Sequence, residues 1–422
     1  MFSLEEVFEA YEDCRRNKRN TASAIDFEIN YDTNCIKLWR ELNDRTYKPS
    51  QSIAFIVRRP RDREIFAANF RDRIVHHLID LKIRPLLEED FSPRTFNNRK
   101  GKGTSACVEQ LRRDIKSQNG DCWVLKMDIK GFFMSISKSL LTKMICEYVD
   151  KRYVCADREL LKWALTTTVN DHPEMNCVLR SPPEYWDMLE KSKSLFHIDP
   201  DLGLPIGNLL SQLLANFILM EFDCFITSKF PLYGRYVDDF YIVTKSKEEA
   251  LMFIPLIRDK LTEVGLTLHP KKFYCQHASK GVEMVGVVLK KDRSYIHNRT
   301  INNAFNAVRR LDKINFPEAN TDKFMATVNS YLGFMKNHNS YAIRRSLMDS
   351  VSWKWWNCIT VKNKFNVAIA YYKFNKRKQA RAKITNNQII NKRLRNGKEK
   401  IDQHQVCSNQ RAEALSEPDR LS

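Results

Sequence analysis

The stretch Tyr236–Val243 (YVDDFYIV) decides the fold, because it carries two adjacent carboxylates inside an otherwise apolar run. A short apolar run of this kind favours a buried strand, which we predict over Tyr236–Thr244. Charges in such a run cost free energy unless a partner neutralises them, as a bound metal ion would. The alternative is a tight, solvated hairpin turn, but the apolar neighbours of Asp238 and Asp239 weaken it.

A third aspartate of the same character lies about 110 residues earlier in the chain. Asp128 closes a second predicted strand, Cys122–Ile129 (CWVLKMDI), and taken alone it is an ordinary strand-end residue. Phosphoryl transfer to a 3′-hydroxyl requires the attacking and leaving oxygens to be stabilised together, which two divalent cations about 3.5–4 Å apart achieve. Mg²⁺ needs hard oxygen ligands, so carboxylates on these two strands favour a metal-dependent phosphoryl-transfer centre.

The composition predicts a folded intracellular protein with a polyanionic partner. Lys and Arg number 70 against 51 acids, a net charge of +19. This surplus favours nucleic acid, because neutralised phosphates release condensed counterions, although charge that serves only solubility is the alternative. The 11 cysteines form no CxxC pair, so neither a disulfide framework nor a zinc ribbon is expected. We expect no membrane partner, since no apolar run is long enough to span a bilayer and the N-terminus lacks a signal-peptide core.

Periodic patterns predict further elements along the chain. We expect helices over 2–20, 70–88 and Asn208–Phe225, and strands over Leu266–Leu268 and Glu283–Leu289 that are divided by His269-Pro270. The polar, proline-containing stretch at about 150–200 is interpreted as an insertion, and the pattern beyond about 300 is helical. This order of strands and helices predicts an α+β palm with helical additions.

Taken together, these motifs resemble those of the reverse transcriptases, over about 50–340 of the chain. The resemblance comprises two fingers motifs and motifs A to E, in that order: Arg63–Ile79, Ser92–Val108, Val124–Ser137, Gly203–Asn216, Arg235–Val243 with its YxDD box, Leu266–Lys272 and Val282–Leu289. It implies a right-hand polymerase that copies RNA into DNA from dNTPs.

The resemblance also implies the domains and the metal ligands. N-terminal helices and fingers are expected over 1–110, the palm over 111–290, a helical thumb over 291–372 and a basic tail over 373–422. Two Mg²⁺ ions are expected on three carboxylates and one backbone carbonyl: Asp128, Asp238, Asp239 and Ile129.

The residues expected at the nucleotide are also implied by the resemblance. Phe133 falls at the steric-gate position, where a flat ring would collide with a ribose 2′-hydroxyl; the alternative is an ordinary core phenylalanine. Arg63, and less surely Arg58 or Arg59, would clamp the triphosphate, unless they form only an exposed basic loop. Lys272, or else Lys271, would protonate the pyrophosphate.

Motif B departs from the retroviral pattern at two positions. Ile206 stands where retroviral enzymes have Gln, and Gln212 follows Ser211 where most relatives have Pro. Both features resemble diversity-generating retroelement enzymes and bacterial defence-associated reverse transcriptases. An aliphatic Ile206 removes a hydrogen bond to the incoming nucleotide, so relaxed nucleotide selection is expected.

The C-terminal part is expected to bind nucleic acid. Three tryptophans of the predicted thumb, Trp353, Trp355 and Trp356, would either stack on bases or form its core. The stretch 373–400 holds eleven Lys or Arg and one acid. It is expected to bind structured RNA or else to form a flexible tail. Its candidate RNA-binding residues are Lys376, Arg377, Lys378, Arg381 and Lys383.

Three functions therefore remain open. The first is a bacterial cytoplasmic enzyme that copies a partner non-coding RNA into cDNA during defence against phage. The second is a diversity-generating retroelement enzyme that makes mutagenised cDNA. The third, an RNA-binding scaffold without activity, is disfavoured by the intact aspartates. Structured RNA template, RNA–DNA hybrid and dNTPs are the expected partners, with a homo-oligomer or an accessory protein possible.

Overall fold

A computed structural model describes residues 1–16, 21–59 and 61–370, and it divides the chain into two compact units, Met1–His297 and Asn298–Ser422. The helices are α1 (Leu4–Arg15), α2 (Ala22–Glu28), α3 (Tyr31–Asn43), α4 (Phe70–Asp90), α5 (Thr104–Ser117), α6 (Phe132–Ser135), α7 (Lys138–Arg152), α8 (Arg158–Val169), α9 (Pro183–Asp187), α10 (Leu209–Phe217), α11 (Met220–Lys229), α12 (Lys247–Met252), α13 (Ile254–Thr262), α14 (Asn298–Leu311), α15 (Pro317–Met335), α16 (Tyr341–Asp349) and α17 (Trp353–Trp356). The strands are β1 (Ser52–Val57), β2 (Arg63–Ala67), β3 (Trp123–Ile129), β4 (Cys177–Leu179), β5 (Tyr233–Tyr236), β6 (Asp239–Thr244), β7 (Leu268–His277), β8 (Val282–Met284), β9 (Val287–Leu289), β10 (Ser294–Ile296), β11 (Ile359–Lys362) and β12 (Val367–Ala370).

The α+β prediction is confirmed. The central sheet of the first unit has the strand order β5-β6-β3-β7 and every neighbouring pair is antiparallel. The hydrophobic core extends from these strands to α1, α4, α7, α8 and α10. A smaller sheet, β2-β1-β4, contains a parallel pair between β1 and β4, so part of the predicted insertion completes this sheet.

The prediction of a single strand over Tyr236–Thr244 is wrong. The run is a hairpin, in which β5 and β6 pair through Tyr236 and Asp239 around a two-residue turn at Val237 and Asp238. Val237 adopts a φ of +61°, which closes the turn. The adjacent aspartates therefore do mark a turn here, but the strands on both sides of this turn belong to the hydrophobic core.

The predicted helix over Asn208–Phe225 is broken in two. Helices α10 and α11 meet at an angle of 42°. At the break the Leu219 amide bonds to the carbonyl of Asn216, three residues back, instead of four. This tighter turn changes the direction of the axis.

Two other predicted boundaries also need correction. β7 continues through His269-Pro270 at the edge of the sheet, where a missing amide donor is tolerated, although its register with β3 shifts there, from Leu268 opposite Ile129 to Phe273 opposite Met127. The first helix begins at Leu4, because Ser3 and Glu6 form a capping box; residues 17–20 of that prediction lie outside the described residues. The helix predicted over 70–88 is confirmed as α4, with Pro85 inside it.

The second unit combines α14–α17 with the β11–β12 hairpin. Trp355 is fully buried and stacks on Phe324, with ring centroids 4.3 Å apart. Trp353, two residues earlier, is 77% exposed. The three tryptophans therefore do not share one environment.

In the part of the chain that the structure describes, no single helix is long and apolar enough to cross a membrane. The bent pair α10 and α11 reaches that length and composition only when its two helices are taken together.

Candidate active site

The central sheet brings the three candidate carboxylates to one place. Asp128 near the end of β3 lies directly opposite Asp239 at the start of β6 in the antiparallel register. Asp238 occupies the adjoining turn, and its carbonyl accepts a hydrogen bond from the Ile129 amide at 3.3 Å. Residues about 110 positions apart in the sequence thus become neighbours because β3 pairs with β6.

Two lysines approach these carboxylates from neighbouring positions in the sheet. Lys272 of β7 donates from Nζ to Asp128 Oδ2 at 2.5 Å, and its side chain is about half exposed. Lys126 lies two residues before Asp128, on the same face of β3, and its Nζ is 3.5 Å from Asp239 Oδ2. Of the two candidate lysines Lys271 and Lys272, the second is the one that reaches this cluster.

The crowded carboxylates shift one another's proton affinity. Burial, together with the nearby charges of Asp128 and Asp239, raises the pKa of Asp238 to about 6. Burial also raises the pKa of Asp239, and the ammonium of Lys126 opposes that change. Like charges held together at a buried turn repel one another, and a bound cation would relieve that repulsion.

The turn that carries Asp238 is held by side chains from outside the hairpin. Arg235 donates from Nη1 to the carbonyl of Val237 at 2.8 Å. The Val237 amide donates to Asn97 Oδ1 at 3.0 Å. Both polar groups of Val237 are therefore fixed, although its left-handed backbone is unfavourable for a β-branched residue.

Arg235 belongs to a buried network that the sequence analysis missed. Its guanidinium binds both oxygens of Asp223 on α11, at 2.7 and 2.5 Å, and both residues are fully buried. Tyr233 and Thr95 also donate hydroxyl hydrogen bonds to Asp223, at 2.5 and 2.6 Å. The signals were an arginine immediately before the YxDD box and an aspartate inside an apolar helix.

A second pair of hydrogen bonds extends this network. Asn97 Nδ2 donates to Asn216 Oδ1 at 2.6 Å, and Asn216 Nδ2 donates to the Asn97 carbonyl at 2.8 Å. Asn216 is the last residue of motif B and Asn97 lies in the second fingers motif. The turn of motif C is thus linked to both segments.

Two of the candidate nucleotide residues, Arg63 and Ile206, lie on segments that meet at a contact between β2 and the motif B loop. The Phe66 amide of β2 donates to the Ile206 carbonyl at 2.9 Å. Gly207 makes this approach possible, because a Cβ there would lie 3.0 Å from the Phe66 carbonyl oxygen and 2.8 Å from Ile65 Cγ2. Arg63 is exposed at the first position of β2, three residues before Phe66.

Phe133 is connected to the same loop from the other side. Its carbonyl accepts a hydrogen bond from Leu204 at 2.9 Å, and its half-buried ring packs edge-on against Phe132. Gln212 is exposed on α10. The structure thus brings Phe133 and Ile206 to neighbouring segments through backbone hydrogen bonds.

The other candidate cations are in different situations. Arg58 pairs with Asp62 at 3.1 Å and lies over the Tyr185 ring, so its charge is already engaged. Arg59 is exposed. The five candidate RNA-binding residues, from Lys376 to Lys383, lie outside the described residues.

The donor set suits a hard divalent cation. Three carboxylates and the Ile129 carbonyl supply only oxygen ligands, which Mg²⁺ prefers. The pKa of Asp238 is raised first by burial and then by the charges of Asp128 and Asp239, and a bound cation would compensate both effects. In the ranges 1–16, 21–59 and 61–370, however, no three His, Cys, Asp or Glu side chains already converge as metal ligands, and Lys272 occupies one oxygen of Asp128.

Comparison with known proteins adds two curated relatives. The chain is 23% identical over 202 residues to the putative COX1/OXI3 intron 1 protein of Saccharomyces cerevisiae, covering 47% of this chain and 21% of that protein. It is 22% identical over 274 residues to protein YkfC of Escherichia coli, covering 53% of this chain and 62% of that protein. The chain thus spans less than two thirds of the length of either relative.

A solved structure and a family model complete the comparison. An apo telomerase from Candida tropicalis, truncated from its C-terminal domain, aligns with 62% of this chain and 60% of its own, at 13% identity and a TM-score of 0.43. The family model described as reverse transcriptase (RNA-dependent DNA polymerase) matches residues 61–289. Because this match includes the three aspartates and covers more than half of the chain, the protein belongs to the reverse transcriptase family.

Proposed function

We propose that the protein is an RNA-directed DNA polymerase, which adds deoxynucleotides to a primer along an RNA template. The observation that carries this proposal is the direct opposition of Asp128 and Asp239 across β3 and β6, with Asp238 in the adjoining turn. Membership of the reverse transcriptase family supports the same reaction. The activity is therefore assigned to the end of the central sheet where these carboxylates meet.

Asp128, Asp238 and Asp239, with the Ile129 carbonyl, would hold two Mg²⁺ ions. Bound divalent ions stabilise charge on the attacking 3′-oxygen and on the leaving pyrophosphate. The positions of the carboxylates determine where that charge would be neutralised, and the β5–β6 hairpin holds Asp238 and Asp239 in position. Lys272 donates to Asp128 in this structure, and we propose that its ammonium protonates the leaving pyrophosphate once metal ions occupy the carboxylates.

Four further residues are proposed to select and orient the nucleotide. Arg63 is exposed at the start of β2 and would bind the triphosphate. The Phe133 ring would exclude a ribose 2′-hydroxyl. Ile206 offers the sugar and base an aliphatic side chain in place of an amide, so nucleotide selection rests more on shape than on hydrogen bonds. Gln212 is proposed as a weaker contact of the same site.

Template copying by the purified chain tests this proposal. A labelled DNA primer on an RNA template should be extended with dNTPs and Mg²⁺, and the product should follow the template sequence. A chain with Asp238→Asn and Asp239→Asn should be inactive but folded, because the substitutions remove crowded charge. Asp187→Asn with Asp199→Asn, two exposed acids, should match the parent. No extension by the folded parent would overturn the proposal.

For the biological role, we propose that the enzyme copies a structured partner RNA in the bacterial cytoplasm during defence against phage. The support is the basic stretch 373–400, which offers the chain its own means of holding RNA. A chain ending at Tyr372 should bind the native RNA more weakly and with a flatter salt dependence. Equal loss of copying on native and generic templates would contradict a separate RNA-binding role.

The second candidate is a diversity-generating retroelement enzyme, which Ile206 favours because an aliphatic contact relaxes nucleotide selection. Sequencing the RNA that co-purifies with the chain, together with its cDNA, separates the two roles. One structured RNA copied faithfully, with loss of phage resistance when Asp239 is substituted, supports defence. Substitution-rich cDNA that matches a variable repeat in the genome would select the second candidate.

A further inference from the structure

Two large aromatic side chains of the second unit face solvent. Phe316 and Trp353 are each 77% exposed. Trp355, in the same short helix as Trp353, is fully buried against Phe324. Trp355 therefore packs in the core of this unit, and Trp353 does not contribute to that packing.

Hydrogen bonds hold the segments that carry these two rings together. Lys354, next to Trp353, donates from Nζ to the carbonyls of Asp312 and Ile314, at 2.5 and 2.9 Å. On the other side of Trp353, the Ser352 amide donates to Asp312 Oδ1 at 3.3 Å. The residues on both sides of Trp353 thus bind the loop that leads to Phe316, so the segments that carry the two rings are held next to each other.

Phe316 is presented by a strained backbone. Its φ of +57° and ψ of +70° are left-handed, and Pro317 follows it as the first residue of α15. Such a conformation costs about 1–3 kcal/mol for a bulky residue and is found mostly at functional sites. Asn320 Nδ2 donates to the Phe316 carbonyl at 3.1 Å, which helps to hold it.

Exposed cations precede Phe316 closely in the chain. Arg309 and Arg310 in the last turn of α14, and Lys313 in the loop before Phe316, are all exposed. Residues 298–370 hold eleven Lys or Arg against four acids. Exposed aromatic rings in a basic unit suit a polyanion that carries flat groups. They suit less well an acidic partner without such groups, or a purely apolar partner.

We propose that Phe316 and Trp353 form a stacking platform for unpaired bases of single-stranded RNA, with Arg309, Arg310 and Lys313 contacting the adjacent phosphates. Aromatic rings beside a basic track bind single strands with little sequence preference, because every base offers a flat face. This site goes beyond the proposed polymerase chemistry, since it requires neither the carboxylates nor a metal ion.

The test measures binding by the full chain to a labelled oligouridylate of about 12 nucleotides, without metal ions or dNTPs, beside an abasic strand of equal length. Replacing both rings, Phe316→Ala with Trp353→Ala, should weaken oligouridylate binding at least roughly 5-fold, the smallest loss expected when one stacked base is lost at about 1 kcal/mol. Binding to the abasic strand should not change. Arg309→Gln with Arg310→Gln should weaken both strands and flatten the salt dependence.

Two further variants control for folding. Phe316→Gly removes the ring and relieves the left-handed strain, so weaker binding by this variant cannot come from unfolding. Tyr341→Ala removes another exposed aromatic of the same unit and should leave binding unchanged. Unchanged oligouridylate affinity, or an equal loss on both strands, would overturn the platform. So would a parent dimer that becomes monomeric in the double variant with RNA binding intact, since the rings would then join two copies.

Discussion

At the residue scale, Val237 shows how the site is built. Its left-handed φ of +61° costs free energy, and the turn keeps that conformation because Arg235 and Asn97 bind its carbonyl and its amide. Arg235 is in turn fixed by Asp223, which lies on another element. A residue with no proposed contact to substrate therefore positions Asp238.

We expect Arg235→Met to damage both stability and activity. The fully buried Asp223 would lose its charge partner, which costs about 3–5 kcal/mol, and the Val237 carbonyl would lose its donor. Chemical unfolding and single-nucleotide incorporation measure the two effects separately.

The double variant Arg235→Met with Asp223→Asn separates positioning from stability. An amide at 223 removes the unpaired charge, its oxygen can accept from the hydroxyl of Tyr233 or Thr95, and its NH2 can donate to the other hydroxyl, so much of the lost stability should return. Activity should stay low, because the turn is still unsupported. If activity returned together with stability, Arg235 would have only a structural role.

A second prediction at this scale concerns Phe133. Phe133→Ala should raise the incorporation of ribonucleotides relative to deoxynucleotides, because the ring would no longer meet the 2′-hydroxyl. The ratio of the two rates on one template is the measurement, and it is insensitive to a general loss of activity. An unchanged ratio would place the discrimination at another residue.

The sequence revealed the carboxylates and Lys272 but not their supports. Charged residues in apolar runs are visible locally, and Asp128, Asp238 and Asp239 stood out for that reason. Arg235 and Asp223 each stand in an apolar context, but nothing in the sequence joins them to one another, and only the packing of α11 against β5 shows that they pair.

At the element scale, the errors of prediction occur where tertiary contacts override local pattern. The apolar pattern predicts one strand over Tyr236–Thr244, because apolar residues lie on both sides of Asp238 and Asp239. The turn at Val237 and Asp238 interrupts that strand. The break between α10 and α11 carries no Gly or Pro, so no local signal marked it. Pro270 marked a false break, because only the sheet order identifies β7 as an edge strand.

The contact between β2 and the motif B loop yields a prediction for two glycines. Gly207→Ala should lower the free energy of unfolding by about 1–3 kcal/mol, because a Cβ at φ +121° would meet Ile65 and the Phe66 carbonyl. It should also raise KM for dNTPs more than it lowers kcat, since β2 carries Arg63.

The matched control is Gly333→Ala in α15. A Cβ there meets nothing within 4 Å, and alanine favours a helix interior by about 1 kcal/mol, so this variant should be more stable than the parent. Equal effects of the two substitutions on stability would contradict the account of the β2 contact.

Across the whole molecule, the order of the motifs predicts the class of enzyme, which no single helix or strand does. Paired carboxylates and a chain-wide order of seven motifs indicated a polymerase, and the match over residues 61–289 identifies the family. The order of the motifs does not predict where the proposed RNA-binding surface lies, because basic residues are spread along the chain and their arrangement depends on packing.

Folding stability should depend on pH through His76. Burial lowers the pKa of His76 to about 3, with the charges of His77 and Arg73 acting in the same direction. The unfolded chain therefore binds a proton near pH 6.5 that the folded chain refuses, so stability is complete above that pH and falls as the pH decreases towards 3. The loss should approach about 1.4 kcal/mol per pH unit.

The measurement is urea unfolding of the parent and of His76→Leu between pH 7 and 4.5. The free energy of unfolding of the parent minus that of the variant should decrease as the pH falls, because only the parent carries the imidazole of His76. Burial raises the pKa of Asp171 to about 6, an effect of opposite sign that both proteins share and that cancels in the difference. Parallel pH profiles for parent and variant would contradict a neutral, buried His76.

The central claim is that carboxylates from two distant parts of the chain act on one reaction, and single-nucleotide incorporation by Asp128→Asn tests it most directly. Asp128 and Asp239 meet only through strand pairing, so each single substitution should lower the rate by at least about a thousandfold. The double substitution should be no slower than either single one, because the residues act as a unit. A folded Asp128→Asn chain that keeps a rate near the parent's, while Asp239→Asn is inactive, would contradict the account.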